Sequence, residues 1–303
     1  MSPLKQAICH CPAKVNLFLE VLNKRSDGYH NIQTVFQALR VGDTLRASCH
    51  PDTTDITLEG GDTITESIDQ NLIIQAAKAL QQQYHVAKGI HFTLTKKLPM
   101  GAGLGGGSSN CAAALKLCNE LWNLELPLQE LEKIGTNLGA DVPFFIRGGT
   151  AFGKGIGEKL TPLPTPPNCF VLIATPHSFV STKEAYQNLP PENVRSNRAM
   201  SCADFVEQYT HLSKNQETQD LYHMLTRCQN DFHKGTLEAF SEIHALSSRI
   251  LEHNPINVLL SGSGASLFAL FREESIGQKC LESISSLCRF SSLTTWELPQ
   301  QNR

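Results

Sequence analysis

The chain has 303 residues, of which 41% are apolar and 18% charged; at roughly 150 residues per domain this favours two domains and excludes extended disorder. Lys and Arg number 26 against 29 Asp and Glu, a formal charge of −3. No segment gathers the basic residues, so nucleic acid is not an expected partner and any anion must be held locally, by backbone amides or single cations. Ten cysteines are scattered without a Cys-x-x-Cys pair. Cys9 and Cys11 flank His10, but strand alternation would put the thiols on one face and the imidazole on the other, so buried reduced cysteines are expected rather than a metal site or a disulfide framework. No run approaches the ~18 apolar residues of a membrane span, and the first residues form no apolar stretch of signal-peptide length. A reducing cytoplasm is the expected setting.

In chain order, Ala13, Val15, Leu17, Leu19 and Val21 alternate with Lys14, Asn16, Phe18 and Glu20, which predicts a strand with one buried face. The polar cluster ending in Asp27-Gly28 predicts a turn, from which Tyr29 and His30 emerge. Short strands are expected at 32–39 and 44–48, a helix over 70–84, and a strand over Ile90, Phe92 and Leu94 that Pro99 closes. After a glycine-rich loop, Ser108-Ser109-Asn110 offer N-cap oxygens to a helix over 111–122, and a second helix over 128–138 stops at Gly139. Pro162, Pro164, Pro166 and Pro167 are read as excluding both helix and ladder pairing, and they set a domain boundary between 1–165 and 166–303. Beyond it the pattern predicts a strand at 169–174, helices at 182–189 and 237–251, a loop at 190–197, and two strand-like runs around Ser261-Gly262-Ser263-Gly264-Ala265-Ser266. No motif is placed between Pro190 and about Gln229.

The loop Pro99-Met100-Gly101-Ala102-Gly103-Leu104-Gly105-Gly106-Gly107-Ser108-Ser109 carries the clearest chemistry. Its glycines let the backbone wrap closely around a ligand while amides of the loop and of the following helix terminus point donors inward, as a polyphosphate requires. It is not a Walker A motif, since no Lys-Ser or Lys-Thr follows at the required spacing. Gly101, Gly103 and Gly106 make a formal Gly-x-Gly-x-x-Gly. A dinucleotide fold, however, needs an acidic residue about 20 positions on at a strand end, and Glu120 falls inside a helix. An NAD-binding oxidoreductase is therefore the weaker alternative. Protein-kinase signatures are absent.

Pro12-Ala13-Lys14-Val15-Asn16-Leu17, the glycine loop, and Ser261-Gly262-Ser263-Gly264-Ala265 together resemble the three ordered motifs of the GHMP small-molecule kinases. Ser26-Asp27-Gly28-Tyr29-His30 and Leu138-Gly139-Ala140-Asp141-Val142-Pro143-Phe144 are similar to one branch of that family. The resemblance implies an α+β, two-lobed fold, the first lobe like domain 2 of ribosomal protein S5 and the second ferredoxin-like. It also implies ATP-dependent phosphorylation of the 2-hydroxyl of a cytidine diphosphate-linked methylerythritol, in the non-mevalonate route to isoprenoids. Homoserine or mevalonate kinase activity is the nearest competitor. ATP brings Mg²⁺, whose ligands are not assigned; Ser108 or Ser109 can supply one oxygen.

Phosphoryl transfer needs a positioned hydroxyl, charge stabilisation and often a base. Asp141 is either a cap ahead of Pro143 or that base, and spacing alone does not choose; the resemblance favours the base. Lys14 would ordinarily be a solvated charge. The resemblance makes it instead a stabiliser of developing charge, ion-paired with Asp141, with Asn16 beside it on the substrate side. Tyr29 and Tyr186 are implied as plates on either side of cytosine, with Thr182 as a polar contact and His30 pairing with the base edge. An ordinary core tyrosine is the rival reading for Tyr186.

Overall fold

A computed structural model describes residues 5–60, 68–190 and 199–299. Internal contacts divide it into two units. The first comprises the described residues up to Ala13 with Gly42–Met100 and Gly105–Arg147; the second comprises Lys14–Val41, Gly101–Leu104 and the described residues from Gly148 onward. The sequence boundary after residue 165 falls inside the second unit. Strands β1 (Gln6–Lys24) and β2 (His30–His50) pair with one another and run through both units.

In the first unit the far half of β2 pairs antiparallel with β4 (Gly89–Thr95), from Thr44 opposite Thr95 to His50 opposite Gly89. β3 (Ile56–Glu59) joins β4 in parallel. Helices α1 (Leu72–Gln83), α2 (Gly106–Leu121), α3 (Leu128–Leu138) and α4 (Val142–Arg147) complete it. Asn71 caps α1, its Oδ1 accepting from Ile73 N at 3.0 Å, which satisfies one of the helix's orphan donors. The small residues Ala112, Ala113 and Ala114 of α2 are all buried, and α2 packs against α1, α3 and α4.

In the second unit the near half of β2 pairs with β5 (Thr150–Gly155), and β5 with β6 (Lys159–Leu163). A separate antiparallel sheet runs in the order β10 (Phe290–Thr294), β7 (Phe170–Thr175), β9 (Leu267–Phe271), β8 (Asn257–Leu260). Around it lie α5 (Thr182–Gln187), α6 (Cys202–Lys214), α7 (Thr218–Leu225), α8 (Asp231–Ala239), α9 (Ser241–Leu251) and α10 (Glu274–Ile284). Leu172, Ala174, Leu267 and Ala269 of the sheet share one apolar core with Phe232, Ile243, Leu246 and Cys280 of the helices. The α+β expectation holds.

Several local expectations change. From Cys11 to Val21 the first strand is covered on both faces, with Lys14, Asn16, Phe18 and Glu20 all buried. Part of that cover is α6, whose Phe205 ring lies 5.3 Å from that of Phe18. The strands expected at 32–39 and 44–48 are one continuous β2. Pro162 sits within β6, opposite Ala151; β6 is the edge strand of its sheet, the position in a sheet where proline is tolerated. The helix expected over 237–251 is two, α8 and α9, broken at Phe240, whose ψ of 98° is extended. Ser108, Ser109 and Asn110 lie inside α2, not ahead of it, because the cap is Gly105. Of the expected loop at 190–197, all but Pro190 lies outside the described residues. The ten cysteines are free thiols, eight of them buried.

Candidate active site

The second unit contains the first cluster. Lys14 is 4% exposed and its Nζ donates to Asn16 Oδ1 at 2.8 Å. Asn16, 1% exposed, donates from Nδ2 to Thr34 Oγ1 at 2.7 Å, and Thr34 Oγ1 donates to Phe18 O at 2.7 Å. The direction of this chain is fixed by chemistry. The Thr34 hydrogen is spent on a carbonyl, so its oxygen must accept from the amide NH₂, leaving Oδ1 to face the ammonium. The Lys14 ammonium also stands 5.7 Å from the centre of the Phe36 ring, within cation–π range.

Two loops are sewn to this strand. Lys14 N donates to Leu104 O at 2.9 Å, and Ser266 N donates to Ala102 O at 3.3 Å. Ser261 Oγ donates to Gly103 O at 2.9 Å and lies 3.2 Å from Lys14 O. At Gly103, φ is +75° and a Cβ would stand 2.0 Å from Ser261 O; at Gly262, φ is +59° and a Cβ would stand 3.2 Å from Lys14 Nζ. All three motif segments of the sequence therefore meet through Lys14, Gly103 and Ser261. Gly103→Ala should displace the loop and lower activity by at least about 10²-fold, the scale of a 1 Å misplacement. Gly28→Ala, also at positive φ but with open space around it, should cost only about 1–2 kcal/mol of stability. Steady-state rates and melting temperatures of the two variants check this, and equal activity losses would refute the packing argument.

In the first unit, α2 begins at Gly106 behind a left-handed Gly105 (φ 71°, ψ 16°) that supplies no side-chain cap. Its first-turn amides thus have no intrahelical acceptor. Lys96 Nζ lies 3.0 Å from where a Cβ on Gly106 would sit, which places a cation at the helix start. That ammonium is anchored by Asp43, fully buried, which also accepts from Lys97 N at 2.7 Å, Leu98 N at 2.8 Å and Asn110 Nδ2 at 3.2 Å. Three buried polar atoms near the starts of α1 and α2, Asn71 Nδ2, Ser109 Oγ and Asn110 Oδ1, have no hydrogen-bond partner among the described residues. Open amides, one cation and unpartnered polar atoms suit a nucleotide phosphate chain. Ser108 Oγ lies 3.8 Å from the Cβ position of Gly139, so the turn carrying Asp141 sits beside the helix start. Asp141 is half-buried, directly ahead of α4. Pro99 is half-buried and Met100 is exposed.

The aromatic residues belong to the second unit. Tyr29 is 64% exposed after the Gly28 turn, its N–H donating to Asp27 Oδ1 at 3.1 Å. The His30 ring stacks on Tyr186 at 4.4 Å and 18°, and Tyr186 meets Phe232 edge-on at 4.9 Å and 84°. Burial pushes the Tyr186 hydroxyl pKa up. Thr182 Oγ1 lies 3.3 Å from Ser263 Oγ, joining α5 to the third motif. A Cβ on Gly235 would stand 1.8 Å from Asn188 O, so α8 must have glycine there for α5 to sit where it does.

Asp43, Lys96, Asn71, Asn230 and His233 escaped the sequence reading. None left a local signal; Asp43 sits in the sequence Arg40-Val41-Gly42-Asp43-Thr44-Leu45-Arg46, which reads as a turn between two strands. His233 Nδ1 accepts from Leu260 N at 3.2 Å, and burial pushes its pKa from 6.5 down to about 4. The unfolded chain takes up that proton near pH 6.5 and the native protein does not until near pH 4, so stability is full above 6.5 and falls as pH drops through the interval. The loss is at most about 3 kcal/mol, reduced by solvent screening of a half-buried ring. Urea unfolding at pH 7.5 and 5 should show it, and His233→Gln should flatten it; an unchanged slope in that variant would assign the effect elsewhere.

Among the described residues, no group of three or more His, Cys, Asp or Glu side chains could hold a metal ion.

Residues 71–149 match the GHMP kinases N terminal domain, so the fold and its glycine loop are those of a GHMP-type small-molecule kinase. The structure superposes on the crystal structure of 4-(cytidine 5'-diphospho)-2C-methyl-D-erythritol kinase with a TM-score of 0.76 and 27% identity, covering 96% of this chain and 99% of that one. Homoserine kinase from Cytophaga hutchinsonii shares the fold with a TM-score of 0.74 at 20% identity, over 99% of this chain and 98% of the other. The 4-diphosphocytidyl-2-C-methyl-D-erythritol kinase of Geobacillus kaustophilus is 35% identical over 277 residues, 91% of this chain and 92% of its own. That of Lachnoclostridium phytofermentans is 35% identical over 270 residues, 88% of each. The chain belongs to the 4-diphosphocytidyl-2-C-methyl-D-erythritol kinase family.

Proposed function

We propose that this protein transfers the γ-phosphate of ATP to the 2-hydroxyl of 4-diphosphocytidyl-2-C-methyl-D-erythritol, in the non-mevalonate route to isoprenoids. The observation that carries the reading is the sewing of Lys14, Gly103 and Ser261 into one cluster, within a chain that ranks with this family over about nine-tenths of its length. In this reading the substrate O–H attacks the γ-phosphorus, Asp141 takes the hydroxyl proton, and the bond to the β-phosphate oxygen breaks to leave ADP. The buried Lys14 ammonium, aimed by Asn16, stabilises the charge on the transferring group. The open start of α2 and Lys96 hold the ATP phosphates. Mg²⁺, when bound with ATP, would neutralise phosphate charge, and the unpartnered hydroxyl of Ser109 is a suitable oxygen ligand. The free thiols suit a reducing cytoplasm, and among the described residues no helix is long and apolar enough to cross a membrane.

Cytosine recognition is assigned to Tyr29, His30, Thr182 and Tyr186. His30 covers one face of the Tyr186 ring, so a base stacking on Tyr186 must use the opposite face or displace the imidazole. The deciding assay offers the cytidylylated methylerythritol beside homoserine and mevalonate; turnover confined to the first is expected, and turnover of either other alcohol at a similar rate would transfer the assignment. Calorimetric titration should show Tyr186→Leu binding cytidine diphosphate about 1–3 kcal/mol more weakly, with ATP-analogue affinity unchanged. Undiminished cytidine diphosphate binding would leave Tyr186 a packing residue.

A further inference from the structure

We infer that Asn230 is a positioning residue for phosphoryl transfer, acting through the Gly262 turn on Lys14; the inference rests on the role proposed above for Lys14. Asn230 is 6% exposed and its side-chain hydrogen-bonding groups are committed. Oδ1 accepts from Phe232 N at 2.9 Å and so caps α8, while Nδ2 donates to Leu260 O and to Gly262 O, each at 2.8 Å. Only an amide fits this demand. A carboxylate would present oxygen to two carbonyl oxygens, and a hydroxyl has one hydrogen to give.

The segment bearing this amide is itself fixed to the strand that carries Lys14. Leu19 N donates to Gln229 O at 2.8 Å, Leu19 and Asn230 form a parallel bridge, and Val21 N donates to Asp231 Oδ2 at 2.8 Å. From that footing Asn230 holds the carbonyls on either side of Ser261. Ser261 in turn bonds Gly103 O, and the Gly262 α-carbon faces Lys14 Nζ and Asn16 Oδ1, its Cβ position being 3.2 Å and 3.6 Å from them. Asn230 thus closes a short circuit: from Leu19 and Val21 on β1, through Gln229–Asp231 and the turn, back to Lys14 and Asn16 on the same strand. Removing its NH₂ leaves two carbonyls of the turn without this donor and frees the turn to shift relative to the ammonium.

The test measures kcat and KM per folded molecule, with folded protein quantified by near-ultraviolet circular dichroism. Asn230→Ala should lower kcat about 10- to 100-fold, with KM for ATP and for the cytidylylated substrate within about threefold of wild type. Asn119→Ala likewise removes an amide that clasps the backbone, its Nδ2 donating to Leu126 O at 3.1 Å and its Oδ1 accepting from Leu126 N at 2.9 Å, but outside this circuit, and should lower the melting temperature while keeping kcat within about twofold. Asn230→Ser keeps an oxygen to cap Phe232 N and buries no charge, so it should fold if the alanine variant does not, and with one hydrogen on a shorter side chain it cannot hold both carbonyls and should show a comparable kcat loss. In a Lys14→Met background, Asn230→Ala should cost less than about a further twofold, as expected when one residue acts through the other. Wild-type kcat in Asn230→Ala or Asn230→Ser, or an equal kcat loss in Asn119→Ala, would overturn the inference while leaving a slow Lys14→Met, and hence the parent reading, intact. A normal rate for Lys14→Met would overturn the parent reading and this route of action with it.

Discussion

Replacing Asp141 by Asn should cut turnover by about 10² to 10⁴, the range for loss of a positioned acid–base group, with binding of both substrates largely kept. The substitution separates the two roles open to this residue. As caps, Asn and Asp are nearly equivalent, and the turn ahead of α4 is closed through the backbone, Val142 N donating to Gly139 O at 3.1 Å. A capping role therefore predicts near-normal turnover, and a base predicts a collapse, because a neutral amide cannot take the proton. Steady-state kinetics alongside calorimetric titration of an ATP analogue decide between them. A purified, folded variant turning over at the wild-type rate would remove Asp141 from the mechanism.

Lys14→Met should lower the rate by roughly 10²-fold or more through lost charge stabilisation. Met approximates the lysine stem in length and fills the same buried space beside Phe36, and it replaces an ammonium that is only 4% exposed, so much of the desolvation cost of that site disappears. Against this, Asn16 Oδ1 loses its donor, a penalty of about 1–3 kcal/mol. The two effects on stability oppose one another while the effect on rate has nothing to offset it. Activity should therefore fall far more than the melting temperature does, and a parallel fall of both would make Lys14 a structural cation.

What local sequence could announce was announced where local forces decide. Helix α3 runs from Leu128 to Leu138 and ends at Gly139 because an apolar stripe and a stop residue are both written into twelve consecutive positions. The three motif segments were legible because glycine and small polar residues at fixed offsets have few other uses. The face of β1 was misread for the converse reason. Alternation reports one apolar face, but the cover over Phe18 comes from Phe205, nearly two hundred positions away, and no window contains both. The start of α2 moved forward because glycines at 106 and 107 read as loop by propensity, while packing of the helix behind them overrides that cost. Asn230 was invisible on similar grounds: its meaning lies in two carbonyls thirty and thirty-two positions on.

The glycine that starts α2 has an energetic consequence. A side-chain cap stabilises a helix by about 1 kcal/mol, and Gly105 provides none. The first turn of the empty protein is accordingly less protected than the rest of α2, and its amides should exchange with deuterated solvent well ahead of those from Cys111 onward. A phosphate chain seated there completes the helix as well as the site. The affinity measured for nucleotide is then a net quantity, reduced by the free energy of quieting that turn, and it is this net quantity that sets how far bound nucleotide raises the protein's resistance to unfolding.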